Sequence, residues 1–216
     1  MLRPENIRAV VCGAYQENAY LVCPDDRGDA FIVDPGDDLP ALTRALSESG
    51  RRLSAIVLTH GHFDHMLAAA PLSRMTGAKI CVRPEDAERL SDPAKSCFNA
   101  EVSALPFPEA FLEDELPDEI ELCGVKLKVL ATPGHSAGSA CLYDPEGNVL
   151  FSGDTLFAGS YGRTDFLGGN SRDMAASLKR LSKLPPETRV LPGHGPSSTI
   201  EEELRTNPYL RGLGIE

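Results

Sequence analysis

The sequence predicts an α/β protein in which two β-sheets pack face to face, with helices on the outer side of each. Short apolar runs separated by turn residues open each half of the chain, and a helical repeat of apolar residues follows them. This order of strands and then a helix occurs twice in the 216 residues. Because each sheet must bury one apolar face, two sheets with their helices outside can share a single core.

The composition is ordinary for a globular protein, and the net charge is acidic. Hydrophobic residues make up 42% of the chain and charged residues 25%. The 21 lysines and arginines against 32 aspartates and glutamates give a net charge of −11, which repels phosphate groups. We therefore expect the protein to bind neither nucleic acid nor an anionic membrane surface.

The sequence also lacks membrane and targeting signals. Its longest apolar stretch, residues 66–72, falls far short of the ~20 residues that a membrane-spanning helix needs, and residues 1–6 lack the apolar core of a signal peptide. The six cysteines include no Cys-x-x-Cys pair, so we expect free thiols in a reducing compartment. These observations favour a cytoplasmic protein.

The first half is predicted to alternate strands with two helices. Leu39, Leu42 and Leu46 recur at helical spacing until Gly50 ends the repeat. A buried strand later runs directly into the first histidines, and a second helix over 64–75 follows it. The predicted strands of this half are residues 7–11, 19–23, 30–33, 55–58 and 79–82.

Residues 91–118 interrupt the pattern with four prolines, three phenylalanines and several acidic residues. A segment of this length without regular structure is usually a binding lid or an insert. We expect residues 1–216 to form one domain, in which 91–118 is such a lid or insert. The last helix is predicted to begin with a capping box of Thr199 and Glu202. The predicted strands of the second half are residues 120–122, 125–129, 140–143, 149–151 and 189–191.

All five histidines of the chain follow predicted strands, and three of them lie within six residues. Alternate residues that leave a strand point the same way, so His60 and His62 can bind one metal ion together. The helical turn that follows directs Asp64 and His65 toward a neighbouring ion. Histidines scattered over a surface would not show this spacing.

Three further candidate ligands, His135, Asp154 and His194, each follow an apolar strand beside glycine or proline. Seven nitrogen and oxygen ligands exceed what one tetrahedral zinc needs. With Asp154 as a bridge, they supply two divalent ions about 3.5–4 Å apart, zinc by default and iron or manganese as alternatives. A closed structural zinc site would instead place cysteine thiolates next to these motifs.

Two other polar residues are candidates near the metals. Arg163 lies in a glycine-flanked loop and is predicted either to bind a substrate carboxylate or to pair with Asp165. Asp34 ends a strand and is predicted either to orient a metal ligand or to cap its own turn.

Residues 134–138 match Gly-x-Ser-x-Gly, the motif of a serine nucleophile on a strand–turn–helix elbow. Only residues 139–143 separate this motif from the next turn, and they read as a strand, which leaves no room for the helix. We therefore expect Ser136 to be a small residue beside a metal ligand.

Four motifs together resemble those of the metallo-β-lactamase superfamily: Thr-His-Gly-His-Phe-Asp-His at 59–65, Thr-Pro-Gly-His at 132–135, Ser-Gly-Asp-Thr at 152–155 and Pro-Gly-His at 192–194. Residues 159–166 and 207–209 are similar to the glyoxalase II-like branch, the hydroxyacylglutathione hydrolases. The resemblance implies a four-layer αββα sandwich of two mixed sheets, with the metals at one edge.

The resemblance also implies how two metals would share the ligands. The first metal would bind His60, His62 and His135, and the second Asp64, His65 and His194, with Asp154 bridging them. Full-length glyoxalase II has a further C-terminal helical domain that helps to hold glutathione, and we expect this chain to lack it. The natural thiol carrier therefore stays open, as does the oligomeric state.

The predicted function is metal-dependent hydrolysis of a small acyl-thioester. Two divalent ions lower the pKa of a bridging water, and Asp64 is the candidate residue to orient that water. A thioester suits such a site because its thiolate leaves without a proton donor. The alternative is a persulfide dioxygenase with one iron on two histidines and an aspartate, because those enzymes share a similar Gly-Arg-Thr-Asp-Phe stretch, here residues 162–166. A lactonase and a non-catalytic metal-binding scaffold rank below both.

Overall fold

The computed structural model describes residues 1–24, 28–108 and 113–212, and these form two six-stranded sheets. In the first sheet, neighbouring strands are antiparallel as far as the third strand and parallel beyond it. In spatial order the strands are β1 (Ile7–Cys12), β2 (Glu17–Val22), β3 (Asp29–Val33), β4 (Arg52–Val57), β5 (Lys79–Val82) and β6 (Glu113–Glu115).

The second sheet is also mixed, because one parallel pair lies among antiparallel ones. It contains β7 (Glu119–Leu122), β8 (Val125–Ala131), β9 (Ala140–Asp144), β10 (Val149–Gly153), β13 (Arg189–Pro192) and β14 (Ser198–Thr199). Its spatial order is β14-β13-β10-β9-β8-β7, with β10 and β13 parallel. A separate hairpin joins β11 (Leu156–Phe157) to β12 (Ser160–Tyr161).

The helices begin and end where the sequence places caps. Asp38 accepts a hydrogen bond from the amide of Ala41 at the start of the first helix, and Gly50 ends it with a φ of 64°. The predicted capping box of Thr199 and Glu202 is confirmed. The α-helices are α1 (Leu39–Ser49), α2 (Ala69–Thr76), α3 (Ser171–Leu181), α4 (Ile200–Thr206) and α5 (Pro208–Gly212), and the 3₁₀ turns are Pro4–Asn6, Phe63–His65 and Pro84–Leu90.

The predicted αββα sandwich is confirmed by the distribution of buried residues. One apolar cluster combines side chains of both sheets, such as Phe31 and Phe151, and forms the central layer. A second cluster lies between the first sheet and helices α1 and α2, and a third between the second sheet and helices α3, α4 and α5. Within the described ranges, no helix has the length and apolarity needed to cross a bilayer.

The helix predicted over 64–75 is wrong in its first turns. A 3₁₀ turn covers Phe63–His65, and α2 begins only at Ala69. The amide of Ala68 donates to the carbonyls of Pro35 and Gly36 instead of to a carbonyl of its own helix. Tertiary hydrogen bonding thus keeps the residues after the histidine motif out of a regular α-helix.

The segment predicted as a lid or insert is fixed to the domain at several points. We call residues 91–108 the cover segment; residues 109–112, including Phe111, lie outside the described residues. The buried carboxylate of Asp37 accepts the amides of Ala104 at 2.7 Å and Leu105 at 2.9 Å. The amide of Phe63 donates to the carbonyl of Ser96 at 3.0 Å. These bonds make the segment a wall beside the histidine motif, and opening as a lid stays a prediction.

Replacing Asp37 with alanine should loosen the cover segment without unfolding the sheets, because two amides lose their buried acceptor. We expect a loss of about 1–3 kcal/mol in the free energy of unfolding and faster proteolytic cleavage between residues 91 and 108. Limited proteolysis followed by mass spectrometry measures the cleavage sites. Asp38→Asn, which keeps an N-cap for α1, is the matched control, and equal cleavage rates in both variants would contradict this anchoring.

Candidate metal centre

The seven predicted ligands converge at one edge of the sandwich, where strands of both sheets end. Four follow β4 of the first sheet, directly or through the 3₁₀ turn, and three follow strands of the second sheet. Four of them, all histidines, are buried, and the other three are partly exposed to a cleft. The seven are His60, His62, Asp64, His65, His135, Asp154 and His194.

His60, His62 and His135 form a first ligand group, in which one ring nitrogen of each lies within 4.8 Å of the others. The Nδ1 atom of His62 is 2.8 Å from the Nε2 atom of His135. The Nε2 atom of His60 is buried and has no hydrogen-bond partner among the described residues. A buried ring nitrogen without a partner is costly, and a cation held by three imidazoles would satisfy it.

Asp64, His65 and His194 form a second ligand group with the same spacing limit of 4.8 Å. The Nε2 atom of His194 lies 3.3 Å from an Oδ atom of Asp64 and 3.3 Å from the Nε2 atom of His65. Two imidazoles and one carboxylate at these distances match the nitrogen and oxygen donors that zinc and iron accept.

Asp154 touches both groups. One carboxylate oxygen lies 3.3 Å from the Nε2 atom of His65, and the other lies 3.5 Å from His135 and 3.7 Å from His194. A carboxylate in this place can bind an ion in each group at once, which is the role that the sequence predicted for it.

Main-chain carbonyls hold the second ring nitrogen of two of the histidines. The Nδ1 atoms of His135 and His194 donate to the main-chain carbonyls of Arg163 at 2.7 Å and Tyr15 at 3.1 Å. A ring that donates from Nδ1 keeps a lone pair on Nε2, and that atom faces the site. The backbone thus fixes which nitrogen is offered to an ion.

Asp34 makes the contacts that an orienting residue requires. Its carboxylate lies 3.1 Å from the Nδ1 atom of His65 and accepts both the amide and the hydroxyl of Thr59, at 2.7 and 2.6 Å. The hydroxyl of Thr59 is in turn 3.1 Å from the Nδ1 atom of His60. The same carboxylate forms a third possible ligand set with His60 and His65, which competes with the two-group assignment.

Electrostatics differ between the two groups. Burial and the neighbouring histidines hold the pKa of His60 well below its usual value, and burial with His135 lowers the pKa of His62 to about 3. Burial also opposes protonation of His65 and His194, but Asp154 and Asp64 outweigh it and raise both pKa values. Burial raises the pKa of Asp154, yet His65 and His135 outweigh that effect and lower it. In the metal-free protein the rings of His60 and His62 are therefore neutral, whereas the carboxylates of the second group favour protonation of His65 and His194.

A cleft of about 370 Å³ opens onto the ligands. Beyond the candidate ligands, its lining is mostly aromatic and consists of Tyr15, Phe63, Cys97, Phe157, Arg163 and Phe166. Phe63 stacks edge to face on both Tyr15 and Phe98, so the motif of residues 59–65 also anchors the cleft wall.

Arg163 pairs with Asp165 in the structure, which was one of its two predicted roles. Two guanidinium nitrogens lie 2.7 Å from the two carboxylate oxygens, and the guanidinium stacks over the ring of Phe166 at 4.0 Å. This exposed pair lowers the pKa of Asp165 to about 2, chiefly through the hydrogen bond. Contact of Arg163 with a substrate stays a prediction.

As expected, Ser136 lies beside a candidate metal ligand, and its surroundings do not suit a nucleophile. Its side chain is fully buried and its hydroxyl donates to Asp86 at 2.6 Å. The strand β9 follows the motif where a nucleophile elbow needs a helix.

Three buried charged residues around the centre were not predicted from the sequence: Glu17, Asp86 and Arg89. Glu17 is fully buried, and one oxygen of its carboxylate lies 3.9 Å from the Nδ1 atom of His65. Neither carboxylate oxygen has a hydrogen-bond partner within the described part of the chain. Burial raises its pKa well above the usual value. The only sequence signal for Glu17 was a charge next to an apolar strand, and neither Asp86 nor Arg89 stands out in the sequence.

Comparison with known proteins supports a family assignment. The family sequence model of the metallo-beta-lactamase superfamily matches residues 12–194 of this chain. Hydroxyacylglutathione hydrolase GloC of Haemophilus influenzae is 34% identical over 210 residues, which cover 95% of this chain and 98% of the relative.

Solved structures show the same fold. The protein TTHA1623, crystallised in a di-iron-bound form, is 42% identical with a TM-score of 0.84 and covers 94% of this chain and 100% of its own. The B3 metallo-beta-lactamase BLEG-1 is 34% identical with a TM-score of 0.84 over 94% and 99% of the two chains. ETHE1 from Myxococcus xanthus is 30% identical with a TM-score of 0.76 over 95% and 84%.

Metal binding to the two groups should depend differently on pH. The raised pKa values of His65 and His194 mean that protons compete with an ion for the second group. The lowered pKa values of His60 and His62 leave their rings neutral over the same range. As the pH falls from about 8 to about 5, a range in which histidines titrate, the second ion should leave before the first.

Elemental analysis after dialysis at a series of pH values measures this order. A plateau near one ion per chain at mildly acidic pH is the expected result. Release of both ions in one common step would contradict the division into two groups.

Proposed function

This chain belongs to the metallo-beta-lactamase superfamily, and we propose that it is a binuclear metallo-hydrolase that cleaves small acyl-thioesters. The position of the Asp154 carboxylate is the main support for this proposal, because its two oxygens lie within 3.7 Å of ring nitrogens in both ligand groups. A carboxylate shared in this way is what a pair of hydrolytic metal ions requires.

We propose zinc for both positions, and iron is the alternative that the di-iron form of TTHA1623 supports. The first ion would be held by the first ligand group, the second by the second group, and Asp154 would belong to both. When bound, such a pair supplies a water of lowered pKa and a Lewis acid for the substrate carbonyl.

Asp64 is the proposed catalytic carboxylate. It lines the cleft, and one of its carboxylate oxygens lies 3.3 Å from the Nε2 atom of His194. Burial raises its pKa, but His65 and His194 outweigh that effect and keep it ionised. An ionised carboxylate here can accept a hydrogen bond from the attacking water and hold it toward the carbonyl carbon.

The cleft favours a thioester over an amide. A thiolate leaves without a proton, whereas an amine needs a general acid positioned beside it. Apart from the candidate ligands, four of the six lining residues are phenylalanine or tyrosine, which suits an apolar acyl group. The relative GloC, a hydroxyacylglutathione hydrolase by name, supports thioester chemistry.

One alternative rests on a specific observation. The stretch Gly-Arg-Thr-Asp-Phe at 162–166 is similar to that of persulfide dioxygenases, and the iron in TTHA1623 shows that a relative 42% identical to this chain holds that metal. A persulfide dioxygenase would consume oxygen and require iron, so the two functions give different products.

The test measures thiol release from lactoyl- and acetyl-thioesters of several carriers, with zinc-loaded and iron-loaded protein. Oxygen uptake on glutathione persulfide and hydrolysis of a β-lactam are followed with the same preparations. We expect thiol release with zinc and slower turnover of the β-lactam. Oxygen uptake that requires iron, without thiol release by either form, would establish the alternative instead.

Asp64→Asn should lower kcat/KM for the thioester by at least about 100-fold, because a neutral amide binds an ion weakly and orients water poorly. The fold should persist, as circular dichroism would show. Asp118→Asn changes an exposed carboxylate that pairs with Arg83 and does not line the cleft, and it is the matched control. Near-normal turnover by the Asp64 variant would remove that residue from the mechanism.

A further inference from the structure

A buried ion pair lies beside the first ligand group. It joins Asp86 and Arg89, both on the 3₁₀ turn Pro84–Leu90, with 3.1 Å between the Nε atom and a carboxylate oxygen. Asp86 is fully buried and Arg89 is 6% exposed. A buried ion pair is weak support for stability by itself, so its other contacts indicate what it does.

The carboxylate of Asp86 accepts hydrogen bonds from loops that follow strands of both sheets. It takes the amide of Gly61 at 2.9 Å, the hydroxyl of Ser136 at 2.6 Å and the amide of Gly138 at 2.9 Å, in addition to Arg89. Gly61 lies between His60 and His62 after a strand of the first sheet, whereas Ser136 directly follows His135 in the second. One carboxylate thus connects the two loops that supply the first ligand group.

The neighbouring glycines show how closely these loops approach the pair. A Cβ atom at Gly61 would lie 2.7 Å from the Cβ of Arg89, and one at Gly138 would lie 2.7 Å from the Cβ of Asp86. Both distances are shorter than real Cβ contacts allow, so the loops can reach the carboxylate only with glycine at these positions.

Arg89 reaches in the opposite direction, toward the cleft. Its two terminal nitrogens donate to the main-chain carbonyls of Lys95 and Leu167. Lys95 lies two residues before Cys97 in the cover segment, and Leu167 follows Phe166; Cys97 and Phe166 both line the cleft. The guanidinium therefore holds two walls of the cleft to one another.

We propose that Asp86 and Arg89 are positioning residues with separable roles: Asp86 sets the geometry of the first metal group, and Arg89 sets the shape of the substrate cleft. The inference rests on the proposed function in so far as His60, His62 and His135 bind an ion. Neither side chain is expected to touch metal or substrate.

Asp86→Asn tests the first role, because an amide cannot accept from four donors. We use Co²⁺ as the probe and follow its visible spectrum during titration of the metal-free protein. The dissociation constant of the first group should rise about 10- to 100-fold, as for other residues that hold metal ligands in place. The second group should bind Co²⁺ as in the unaltered protein.

Two reference variants identify which group is affected. The titration of Asp86→Asn should resemble that of His62→Ala, which removes a ligand of the first group, and differ from that of His194→Ala. Asp144→Asn is the control for a lost buried carboxylate, since Asp144 accepts the amides of Leu2 and Glu146 at the other end of β9. It should lower the melting temperature and leave Co²⁺ binding unchanged.

Arg89→Lys tests the second role, since lysine keeps the charge beside Asp86 but cannot reach both carbonyls. We expect KM for the thioester to rise about tenfold with kcat little changed, the pattern of lost uniform binding, and Co²⁺ binding to stay normal. Equal losses of Co²⁺ affinity in both variants, or none in either, would overturn the separation of roles.

A second variant, which leaves the ion pair intact, tests the same role if Asp86→Asn does not fold. Ser136→Ala removes one of the four donors and should raise the dissociation constant of the first group about threefold, a partial version of the same effect. An unchanged constant would overturn the role of Asp86. If the unaltered protein binds only one Co²⁺, the proposed function is wrong. If the unaltered protein and Asp86→Asn both bind two Co²⁺ ions with the same affinities, only the present inference is wrong.

Discussion

The candidate metal centre is built around one short contact, the 2.8 Å between the Nδ1 atom of His62 and the Nε2 atom of His135. The two residues follow strands of different sheets, so the contact forms only when the edges of both sheets are held in register. The Nδ1 atom of His62 can donate to the lone pair on the Nε2 atom of His135, and an ion bound by both rings would replace this hydrogen bond. The sandwich therefore places the two rings where one ion can bind both.

The residues around the seven ligands hold several of the histidine rings in position for an ion. Main-chain carbonyls of Arg163 and Tyr15 accept hydrogen bonds from the Nδ1 atoms of His135 and His194. The carboxylate of Asp34 accepts one from the Nδ1 atom of His65. Rings fixed in this way need not be ordered when an ion binds, which lowers the entropic part of its binding free energy. The charge difference between the groups then decides how protons compete with each ion.

The sequence alone predicted the fold class, most strands and the convergence of the seven candidate ligands, because strand-end histidines leave a local pattern that spacing reveals. The 3₁₀ turn at Phe63–His65 was missed, since it depends on the long-range bonds of Ala68 to Pro35 and Gly36. Asp86 and Arg89 were missed for a related reason. Nothing next to them in the sequence shows that their partners lie up to 78 residues away.

X-ray diffraction from zinc-loaded crystals, with anomalous data at the zinc edge, would show directly whether two ions share the seven candidate ligands. We expect two peaks per chain about 3.5–4 Å apart, one against His60, His62 and His135, the other against Asp64, His65 and His194, with Asp154 in contact with both. A single peak, or a peak held by Asp34, His60 and His65, would contradict this expectation.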